Sequence, residues 1–391
     1  MMQRILSLPK DNSFFLFGPR QVGKSTLIHS QYDSKSTITY DLLKTDEYMR
    51  LSAHPEYFRN EVLSRKSQVT HIIIDEVQRI PDLLNEVHHI LETETTPPCF
   101  ILSGSSARKL KRAHANLLAG RAWTFKLFPL TYSEIVSEKI MDLNKVLSIG
   151  TLPQVYLQDN LNSSHYILRS YVDTYIKEEI ESEALIRNSG TFLRFLFQAG
   201  HESGNILNYS SIAREVGTTS ITVKEYFQIL EDTLLGMFLF PYHKSVRKRL
   251  SKHPKFYLFD TGVQRAITRK LNVPVEPHTY EYGNLFEHWI INETMRISHY
   301  FNKDFLFYYL RTEGGAEIDL IIETPRGKIV AVEIKSTKNP IIHPINKSMA
   351  TLKNLKNVIQ LCVCPIFHKR KYGDLMLIPW QEYFDLLETL E

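Results

Sequence analysis

Near its amino terminus the chain contains the sequence Phe14-Phe15-Leu16-Phe17-Gly18-Pro19-Arg20-Gln21-Val22-Gly23-Lys24-Ser25-Thr26. Its apolar first part predicts a buried strand, and the glycines that follow predict a tight turn before a helix. From Gly18 to Ser25 the residues match the pattern G-x-x-x-x-G-K-[ST], in which a glycine-rich loop between a strand and a helix surrounds phosphate groups. We therefore expect a phosphate-binding loop formed by Gly18, Pro19, Arg20, Gln21, Val22, Gly23, Lys24, Ser25 and Thr26.

Two side chains of this loop have predicted chemical roles. The Lys24 ammonium supplies a fixed positive charge near the β- and γ-phosphates, and the Ser25 hydroxyl binds Mg²⁺. Backbone N–H groups of the loop and the positive end of the following helix face the same anion. The loop therefore predicts binding of ATP or GTP together with Mg²⁺.

A second motif, His71-Ile72-Ile73-Ile74-Asp75-Glu76, lies downstream of the loop. Its apolar residues predict a buried strand that ends in two acids. In a parallel sheet Asp75 comes beside the Mg²⁺, and Glu76 orients or deprotonates a water molecule. The loop and the acid pair together predict that the bound triphosphate is hydrolysed.

Two further residues are candidates for the hydrolysis step. Ser105 follows the predicted strand Phe100–Leu102 and can sense the γ-phosphate through the attacking water. The alternative for Ser105 is an ordinary polar turn. Arg121 is a candidate arginine finger that reaches a neighbouring subunit, where a guanidinium offsets transition-state charge. The alternative for Arg121 is an ordinary surface arginine.

The composition limits the class of protein. Of the 391 residues, 43% are hydrophobic and 23% are charged, which is typical of a globular protein and excludes a disordered or fibrous one. The length predicts two to four compact domains. Because the net charge is only +4, the whole-chain balance says little about nucleic acid, and local clusters of charge must decide that question.

The distribution of apolar residues predicts a cytoplasmic protein with no membrane partner. No apolar run reaches the roughly 18 residues that a membrane helix needs. The sequence Pro9-Lys10-Asp11 also interrupts the amino terminus before a signal-peptide core can form. The cysteines Cys99, Cys362 and Cys364 lie in apolar runs and are expected to be core residues; metal binding by Cys362 and Cys364 is the alternative.

The order of predicted elements indicates four domains. Residues 1–140 alternate strands with helical patterns, which is typical of a parallel sheet covered by helices. Residues 141–205 are predicted to be helical, and residues 206–270 contain helix, turn, helix and a two-stranded ribbon, the order of a winged helix. Residues 271–391 form a further α/β portion.

The expected element bounds follow from the apolar periodicity. In the first domain the predicted strands are Ser13–Phe17, Ser36–Tyr40, Thr70–Ile74, Pro98–Leu102 and Ala122–Phe128. The clearest helix is Tyr166–Glu181, and Ser210 is expected to cap a helix that ends at Gly217. Downstream, the expected strands and helix are Gly236–Tyr242, Lys255–Phe259, Asn284–Ser298 (the helix), Asp304–Arg311, Glu317–Glu323 and Ile329–Ser336.

A basic segment lies between the two strands of the predicted wing. Lys244–Lys255 contains six cations and no acid. On the tip of a ribbon such a cluster contacts DNA phosphates, which makes binding depend on salt, while the helix-turn-helix enters the major groove. The predicted DNA-binding residues are Lys244, Arg247, Lys248, Arg249 and Lys252. The alternatives are a solvated loop or a patch that docks on an acidic partner.

A carboxylate and lysine constellation lies near the carboxyl terminus. Thr324-Pro-Arg-Gly327 predicts a tight turn, so that the strands before and after it pair as a hairpin. Period-2 alternation places Glu333 and Lys335 on one face, and Asp319 lies on the partner strand. Two carboxylates that hold Mg²⁺ and a lysine that orients or deprotonates water suit phosphodiester hydrolysis. Glu287, on the preceding helix, is expected to add a third carboxylate.

These residues resemble the PD-(D/E)xK nuclease motif, although Ile318 replaces the proline. The chain as a whole resembles the prokaryotic AAA+ ATPases that carry a C-terminal nuclease-like domain of unknown function. The likeness rests on Gly18–Thr26, Ile72–Gln78, Leu102–Ser106, Leu117–Arg121, Pro129–Glu134, Lys255–Gly262, Gly283–Glu287 and Ala316–Asp319. It departs at Glu178-Glu179, where such proteins often have an Arg-Asp pair. The resemblance implies an ATPase of the ASCE type with ATP and Mg²⁺ as cofactors, a homo-oligomer such as a hexameric ring, and a restriction-endonuclease-like C-terminal domain.

The leading hypothesis is an ATP-driven protein that acts on duplex or branched DNA and presents it to a metal-dependent nuclease site. Asp319, Glu333 and Lys335 are the expected cleavage residues, with Glu287 in support. Two alternatives stay open. One is a non-cleaving ATPase that remodels DNA or a branched junction and uses the nuclease-like fold only to bind it. The other is a nucleotide-dependent switch that binds protein partners.

Overall fold

A computed structural model describes residues 2–65, 68–105, 108, 110, 118, 120–176, 189–243, 253–355 and 357–391. These residues form two compact units. Unit 1 includes the described residues up to Leu130 together with Ile229–Leu235. Unit 2 includes the described residues from Thr131 to Gln228 and from Gly236 to Glu391. The division into four domains stays a prediction.

Unit 1 contains a parallel sheet of five strands. Its strands are β1 (Phe14–Phe17), β2 (Thr37–Asp41), β3 (His71–Asp75), β4 (Cys99–Gly104) and β5 (Trp123–Lys126). Their order across the sheet is β2-β3-β4-β1-β5, and every neighbouring pair is parallel. Each predicted strand of this domain is therefore present, and the parallel sheet is confirmed.

Helices accompany these strands. They are α1 (Lys24–Gln31), α2 (Thr45–Ala53), α3 (Glu56–Ser64) and α4 (Leu83–Thr93). Strands β1 and β4 are buried on both faces, as expected for parallel strands that are covered on both sides, and β3 is buried except at its ends. Because the carboxyl ends of parallel strands lie at one edge, this sheet brings the loop after β1 and the acid pair at the end of β3 to the same edge.

Helices dominate the described residues from Thr131 to Asp232. They are α5 (Tyr132–Val136), α6 (Leu143–Ile149), α7 (Pro153–Tyr156), α8 (Leu161–Ser170), α9 (Ser189–His201), α10 (Tyr209–Val216) and α11 (Ser220–Asp232). A π-helical stretch, Tyr171–Ile176, follows α8 directly. The predicted helix Tyr166–Glu181 is therefore wrong at its start, since α8 begins at Leu161, and its last residues lie outside the described part.

The predicted cap of α10 is also wrong. Asn208 caps this helix, because its side chain accepts a hydrogen bond from the Ser211 backbone N–H at 3.1 Å. The helix ends at Val216, and Gly217, the predicted end, is its C-cap, where a φ of 76° suits glycine. Asparagine and serine are both favourable N-cap residues, and the residue at which the helix begins determines which of the two caps it.

Unit 2 contains one mixed sheet of eight strands. They are β6 (Gly236–Pro241), β7 (Lys255–Leu258), β8 (Leu306–Arg311), β9 (Glu317–Glu323), β10 (Ile329–Ile334), β11 (Val358–Cys364), β12 (Arg370–Tyr372) and β13 (Leu375–Pro379). Their order is β12-β13-β11-β10-β9-β8-β6-β7. The remaining helices are α12 (Thr261–Ile267), α13 (Tyr280–Tyr300), α14 (Ile342–Met349) and α15 (Trp380–Thr389).

The two strands of the predicted wing belong to this sheet. They pair antiparallel with each other, and β6 also pairs with β8 through Phe240 and Tyr308. The predicted hairpin of β9 and β10 is present and antiparallel. Residues of β7, β9 and β10 therefore belong to one continuous sheet. Among the residues described, no helix is both long and apolar enough to cross a membrane.

Candidate functional site

The phosphate-binding loop begins directly after β1 and requires glycine at its first position. A Cβ atom at Gly18 would lie 2.3 Å from the backbone oxygen of Leu127, which is closer than any non-bonded carbon approaches oxygen. Gly23, just before α1, has a φ of 94°, a left-handed conformation that glycine adopts without strain. The two glycines that the motif specifies are therefore explained by backbone packing and conformation.

Lys24 is buried at the first position of α1. Its Nζ donates to the backbone oxygens of Gly18 (2.7 Å) and Pro19 (3.1 Å). The ammonium is therefore held inside the loop by the loop's own carbonyl groups. A buried positive charge at this point suits a triphosphate, whose oxygens accept the same hydrogen bonds.

Ser25 and the acid pair meet at the edge of the sheet. Ser25 Oγ donates to Asp75 Oδ2 at 2.9 Å, although the two residues lie on different elements. Ser103, on β4, donates a hydrogen bond to the other oxygen of Asp75. A hydroxyl and a carboxylate at this distance fit Mg²⁺, which prefers oxygen ligands and keeps several waters. The part played by Ser103 was not predicted.

Glu76 has a backbone φ of 60°, an uncommon conformation for a residue other than glycine. Its Oε2 accepts a hydrogen bond from Gln78 Nε2 at 2.5 Å. The same nitrogen donates to Ser105 Oγ at 3.1 Å. Gln78 therefore connects the predicted water-activating acid to the predicted sensor, and sequence reasoning gave it no role.

Arg4 supports the loop from outside. Its Nη1 donates to the backbone oxygen of Val22, and its Nη2 donates to that of Phe128, both at 2.7 Å. One guanidinium therefore ties the loop to the chain just after β5. No motif in the sequence indicates this role, because the second partner is 124 positions away.

Arg121 lies at the surface of unit 1. Its side chain is 40% exposed, and its Nη2 is 2.8 Å from Glu92 Oε1 on α4. Its Nη1 lies 3.3 Å from His88 Nε2. The arginine-finger role stays a prediction. The five predicted DNA-binding residues, from Lys244 to Lys252, lie outside the described residues.

In unit 2 the predicted cleavage residues come together. Asp319 is on β9, Glu333 is on β10, and Lys335 follows β10 directly. Lys335 Nζ lies 2.6 Å from Glu333 Oε1 and 3.7 Å from Asp319 Oδ2. The backbone N–H of Ile334 also donates to Asp319 Oδ2 at 2.8 Å. The hairpin therefore places both carboxylates within reach of the same lysine.

The carboxyl group of Glu333 is desolvated. Only 8% of Glu333 is exposed, and its Oε2 has no hydrogen-bond partner among the described atoms. Burial, followed by the neighbouring Asp319 carboxylate, raises the pKa of Glu333 to about 7, although Lys335 acts in the opposite direction. A buried carboxylate oxygen without a partner is the kind of atom that a divalent cation satisfies.

Glu287, on α13, already has two partners. Its Oε1 accepts from the Tyr257 hydroxyl at 2.7 Å and lies 3.5 Å from Lys255 Nζ. Lys255 Nζ also lies 3.1 Å from Glu317 Oε1. Burial, and then Asp319, raises the pKa of Glu287. Lys255 and Tyr257 were missed as site residues, although their alternate positions in a predicted strand indicate one shared face.

The available metal ligands are therefore few. Within the described ranges, no group of three or more His, Cys, Asp or Glu side chains is arranged to hold a metal ion. Asp319 and Glu333 form a pair that fits one Mg²⁺ whose remaining ligands are waters, since this ion is commonly held by one or two carboxylates. Cys362 and Cys364 are buried and free, as expected of core residues, while Cys99 is partly exposed.

The sequence Lys255–Gly262 has a structural role at its end. Asp260 is buried, caps α12 through the backbone N–H of Val263, and accepts a second hydrogen bond from the Thr151 N–H at 2.8 Å. A Cβ atom at Gly262 would lie 2.0 Å from the backbone oxygen of Ile149. The aspartate and the glycine of this motif therefore fasten β7 and α12 to the chain after α6.

Family comparisons divide the chain into three parts. Residues 10–136 match the family model described as AAA domain, residues 140–273 match "Domain of unknown function (DUF8612)", and residues 282–383 match "Domain of unknown function (DUF4143)". The first match supports the prediction of an AAA+ ATPase domain that binds ATP. The other two carry no description of activity.

Relatives resemble the chain over most of its length. An uncharacterised protein of Mycobacterium tuberculosis is 26% identical over 366 residues, covering 93% of this chain and 78% of that protein, and one of Mycobacterium bovis matches equally. An uncharacterised protein of Haemophilus influenzae is 22% identical over 312 residues, covering 73% of this chain and 76% of that protein.

Two solved structures are also similar. A signal-transduction ATPase with a tetratricopeptide repeat sensor from Pyrococcus horikoshii has 13% identity and a TM-score of 0.26, covering 74% of this chain and 45% of that one. The McrB AAA+ hexamer of Thermococcus gammatolerans with bound McrC has 9% identity and a TM-score of 0.20, covering 49% and 47%. This chain therefore spans less than half of each solved chain. The amino-terminal part of the protein, residues 10–136, is similar to the AAA domains.

Proposed function

We propose that the chain is an ATP-hydrolysing protein that acts on DNA and couples an AAA+ motor to a metal-dependent nuclease site. The observation that carries the ATPase part is the 2.9 Å hydrogen bond from Ser25 Oγ to Asp75 Oδ2, next to the buried Lys24. A loop hydroxyl and a strand-end carboxylate meet there from distant parts of the sequence. That arrangement supports a shared Mg²⁺ and triphosphate site.

In this proposal Lys24 binds the β- and γ-phosphates, and Ser25 and Asp75 hold Mg²⁺. When bound, the ion would supply positive charge that offsets the negative charge of the triphosphate. Glu76 orients the attacking water or accepts its proton, and the hydrogen bond from Gln78 fixes the Glu76 side chain. Ser105 senses the γ-phosphate through the same network.

The motor is proposed to work as a homo-oligomer, such as a hexameric ring. In a ring Arg121 would approach the triphosphate of a neighbouring subunit and offset charge in the transition state. Its present partner is Glu92, an exposed carboxylate, and an exposed pair of this kind costs little to break. A cytoplasmic location is part of the same proposal.

The nuclease part of the proposal rests on the hairpin of β9 and β10. Asp319 and Glu333 would hold the metal ion, which when bound acidifies a water and polarises a phosphate. Lys335, whose ammonium contacts both carboxylates, would orient that water. The unpartnered, buried Glu333 Oε2 supports metal binding. We propose a restriction-endonuclease-like fold for residues 271–391.

DNA contact is proposed for residues 206–270 as a winged helix. Helices α10 and α11 are joined by a short turn and followed by the β6–β7 ribbon, the order of elements in that fold. The basic residues from Lys244 to Lys252 would contact phosphates, so binding should weaken as salt rises.

A second candidate function is a non-cleaving ATPase that binds DNA or a branched junction with the same fold. One observation favours it: Glu287, the third expected carboxylate, is engaged by Tyr257 and Lys255. With two carboxylates remaining, the site suits gripping a phosphate backbone through a bound cation as well as cutting it.

The ATPase is tested by two variants of the purified full chain. Lys24→Ala should abolish nucleotide binding or turnover, because the loop loses its only predicted phosphate-binding ammonium. Glu76→Gln should keep ATP binding and block hydrolysis. Turnover that survives in both variants would refute the site.

The DNA part is tested with linear, branched and single-stranded DNA, with and without Mg²⁺. Cleavage that is lost in Asp319→Ala and Lys335→Ala but retained in Lys24→Ala supports the nuclease proposal. Salt-sensitive binding without cleavage replaces it with the second candidate. If DNA neither binds at low salt nor changes ATP turnover, a nucleotide-dependent protein-binding switch replaces both.

A further inference from the structure

The nuclease-like site contains more charged groups than the motif specifies. Its carboxylates are Glu287, Glu317, Asp319 and Glu333, and its ammonium groups are those of Lys255 and Lys335. When all are ionised, the six groups leave two negative charges uncompensated. One divalent cation would neutralise the cluster, whereas two would leave it positive.

The cluster has two halves with different partners. In the first, Lys335 contacts Asp319 and Glu333, and the buried Glu333 Oε2 has no hydrogen-bond partner. In the second, Lys255 Nζ lies 3.1 Å from Glu317 Oε1 and 3.5 Å from Glu287 Oε1. Only the first half therefore offers a buried oxygen that is open to a cation.

Lys255 is buried within the second half of the cluster. Its side chain is 6% exposed, and its strand, β7, lies at the edge of the same sheet. Tyr257, two residues further on the same strand, donates to Glu287 Oε1 at 2.7 Å. A buried ammonium between two carboxylates is strongly retained, because removing it leaves both charges uncompensated.

We propose that Lys255 acts as a fixed cation that takes the place of a second metal ion, so that the site binds one divalent cation. The inference rests on the metal site at Asp319 and Glu333 in the proposed function. In two-metal nuclease sites the two ions lie about 3.5–4 Å apart, and the second ion needs carboxylate ligands beside those of the first. Here Glu287 and Glu317 supply those carboxylates, and the Lys255 ammonium bridges them.

The test is a Mn²⁺ titration of the nucleotide-free full chain, followed by electron paramagnetic resonance. Asp319→Asn identifies the equivalents that belong to this site. Wild-type protein should bind one Asp319-dependent Mn²⁺ with the spectrum of an isolated ion. Lys255→Met, which keeps the length of the side chain and removes its charge, should bind two. Lys255→Arg, which keeps the charge, should bind one.

The outcomes separate the inference from the proposed function. Two Asp319-dependent equivalents in the wild type, or the spectrum of a coupled pair, overturn the inference and leave the metal site in place. A single equivalent in folded Lys255→Met also overturns it. No Asp319-dependent Mn²⁺ in the wild type overturns both. If circular dichroism shows that Lys255→Met does not fold, the number of Mn²⁺ ions bound by the wild type and their spectrum test the inference.

Discussion

Replacing Glu293 with glutamine should make unit 2 less sensitive to pH. Glu293 lies on α13, none of its surface is exposed, and its Oε1 accepts from the Tyr132 backbone N–H at 2.5 Å. Arg296 Nη1 lies 3.5 Å from Oε2, while the carboxylates of Glu134 and Glu388 lie nearby. Burial raises the pKa of Glu293 from 4.5 to about 7, although Arg296 acts in the opposite direction.

The magnitude follows from linkage between protonation and folding. The folded state binds this proton more tightly than the unfolded chain, so its stabilising contribution is full below pH 4.5 and is lost as the pH rises through about 7. Raising the pKa of Glu293 from 4.5 to about 7 corresponds to about 3 kcal/mol of unfolding free energy. Glutamine has no proton to lose and can still accept from Tyr132. Arg296 keeps its bonds to Phe259 and Thr151.

The assay is thermal unfolding of the full chain at pH 4.5 to 8, followed by tryptophan fluorescence. The difference in Tm between Glu293→Gln and the wild type should rise by roughly 6–12 °C over this range. This follows because the difference in unfolding free energy changes by about 3 kcal/mol in a unit of this size. Glu313→Gln, at an exposed position, is the matched control and should show no such trend. A constant difference between Glu293→Gln and the wild type, within about 2 °C, would refute the reasoning.

Three further predictions concern the nucleotide site. Gln78→Leu should lower kcat for ATP by roughly 10- to 100-fold, because Glu76 loses its positioning hydrogen bond, while ATP affinity stays within about threefold; unchanged turnover contradicts this. Arg4→Met should lower the Tm and weaken ATP binding, since two charge-assisted hydrogen bonds worth about 1.5–3 kcal/mol each are lost. Titration with a fluorescent nucleotide measures the loss of affinity, and the same titration of Arg4→Lys shows whether the forked geometry of the guanidinium matters. Gly18→Ala should abolish measurable ATP binding in the same titration, because its Cβ would lie 2.3 Å from the Leu127 oxygen; normal affinity would show that the loop can move away.

Much of the fold follows from local patterns. The apolar runs of unit 1 predict all five strands of its sheet to within about two residues at most ends, because a buried parallel strand needs apolar side chains on both faces. The hairpin that carries Asp319 and Glu333 follows from alternation around a turn. Helix ends follow less directly from local patterns: α8 begins five residues before the predicted start and passes into a π-helical stretch.

Some residues of the candidate site can likewise be predicted from local patterns, and others cannot. Lys24, Ser25 and Asp75 are recognisable from their motifs, because phosphate and Mg²⁺ chemistry restricts both residue type and spacing. Ser103, Gln78 and Arg4 carry no such signature. Ser103 reaches Asp75 only because β4 lies beside β3, and that order of strands is a property of the whole sheet.

Local patterns in the sequence therefore predict the elements and the chemical groups that follow one another along the chain, since periodicity and motif spacing are local. The packing of the whole unit, by contrast, places β6 and β7 in the sheet of β8 and β9, so that Lys255 lies between Glu287 and Glu317. Such contacts join residues that are far apart in sequence. They arise because the apolar faces of the whole unit pack together, and no local pattern contains that information.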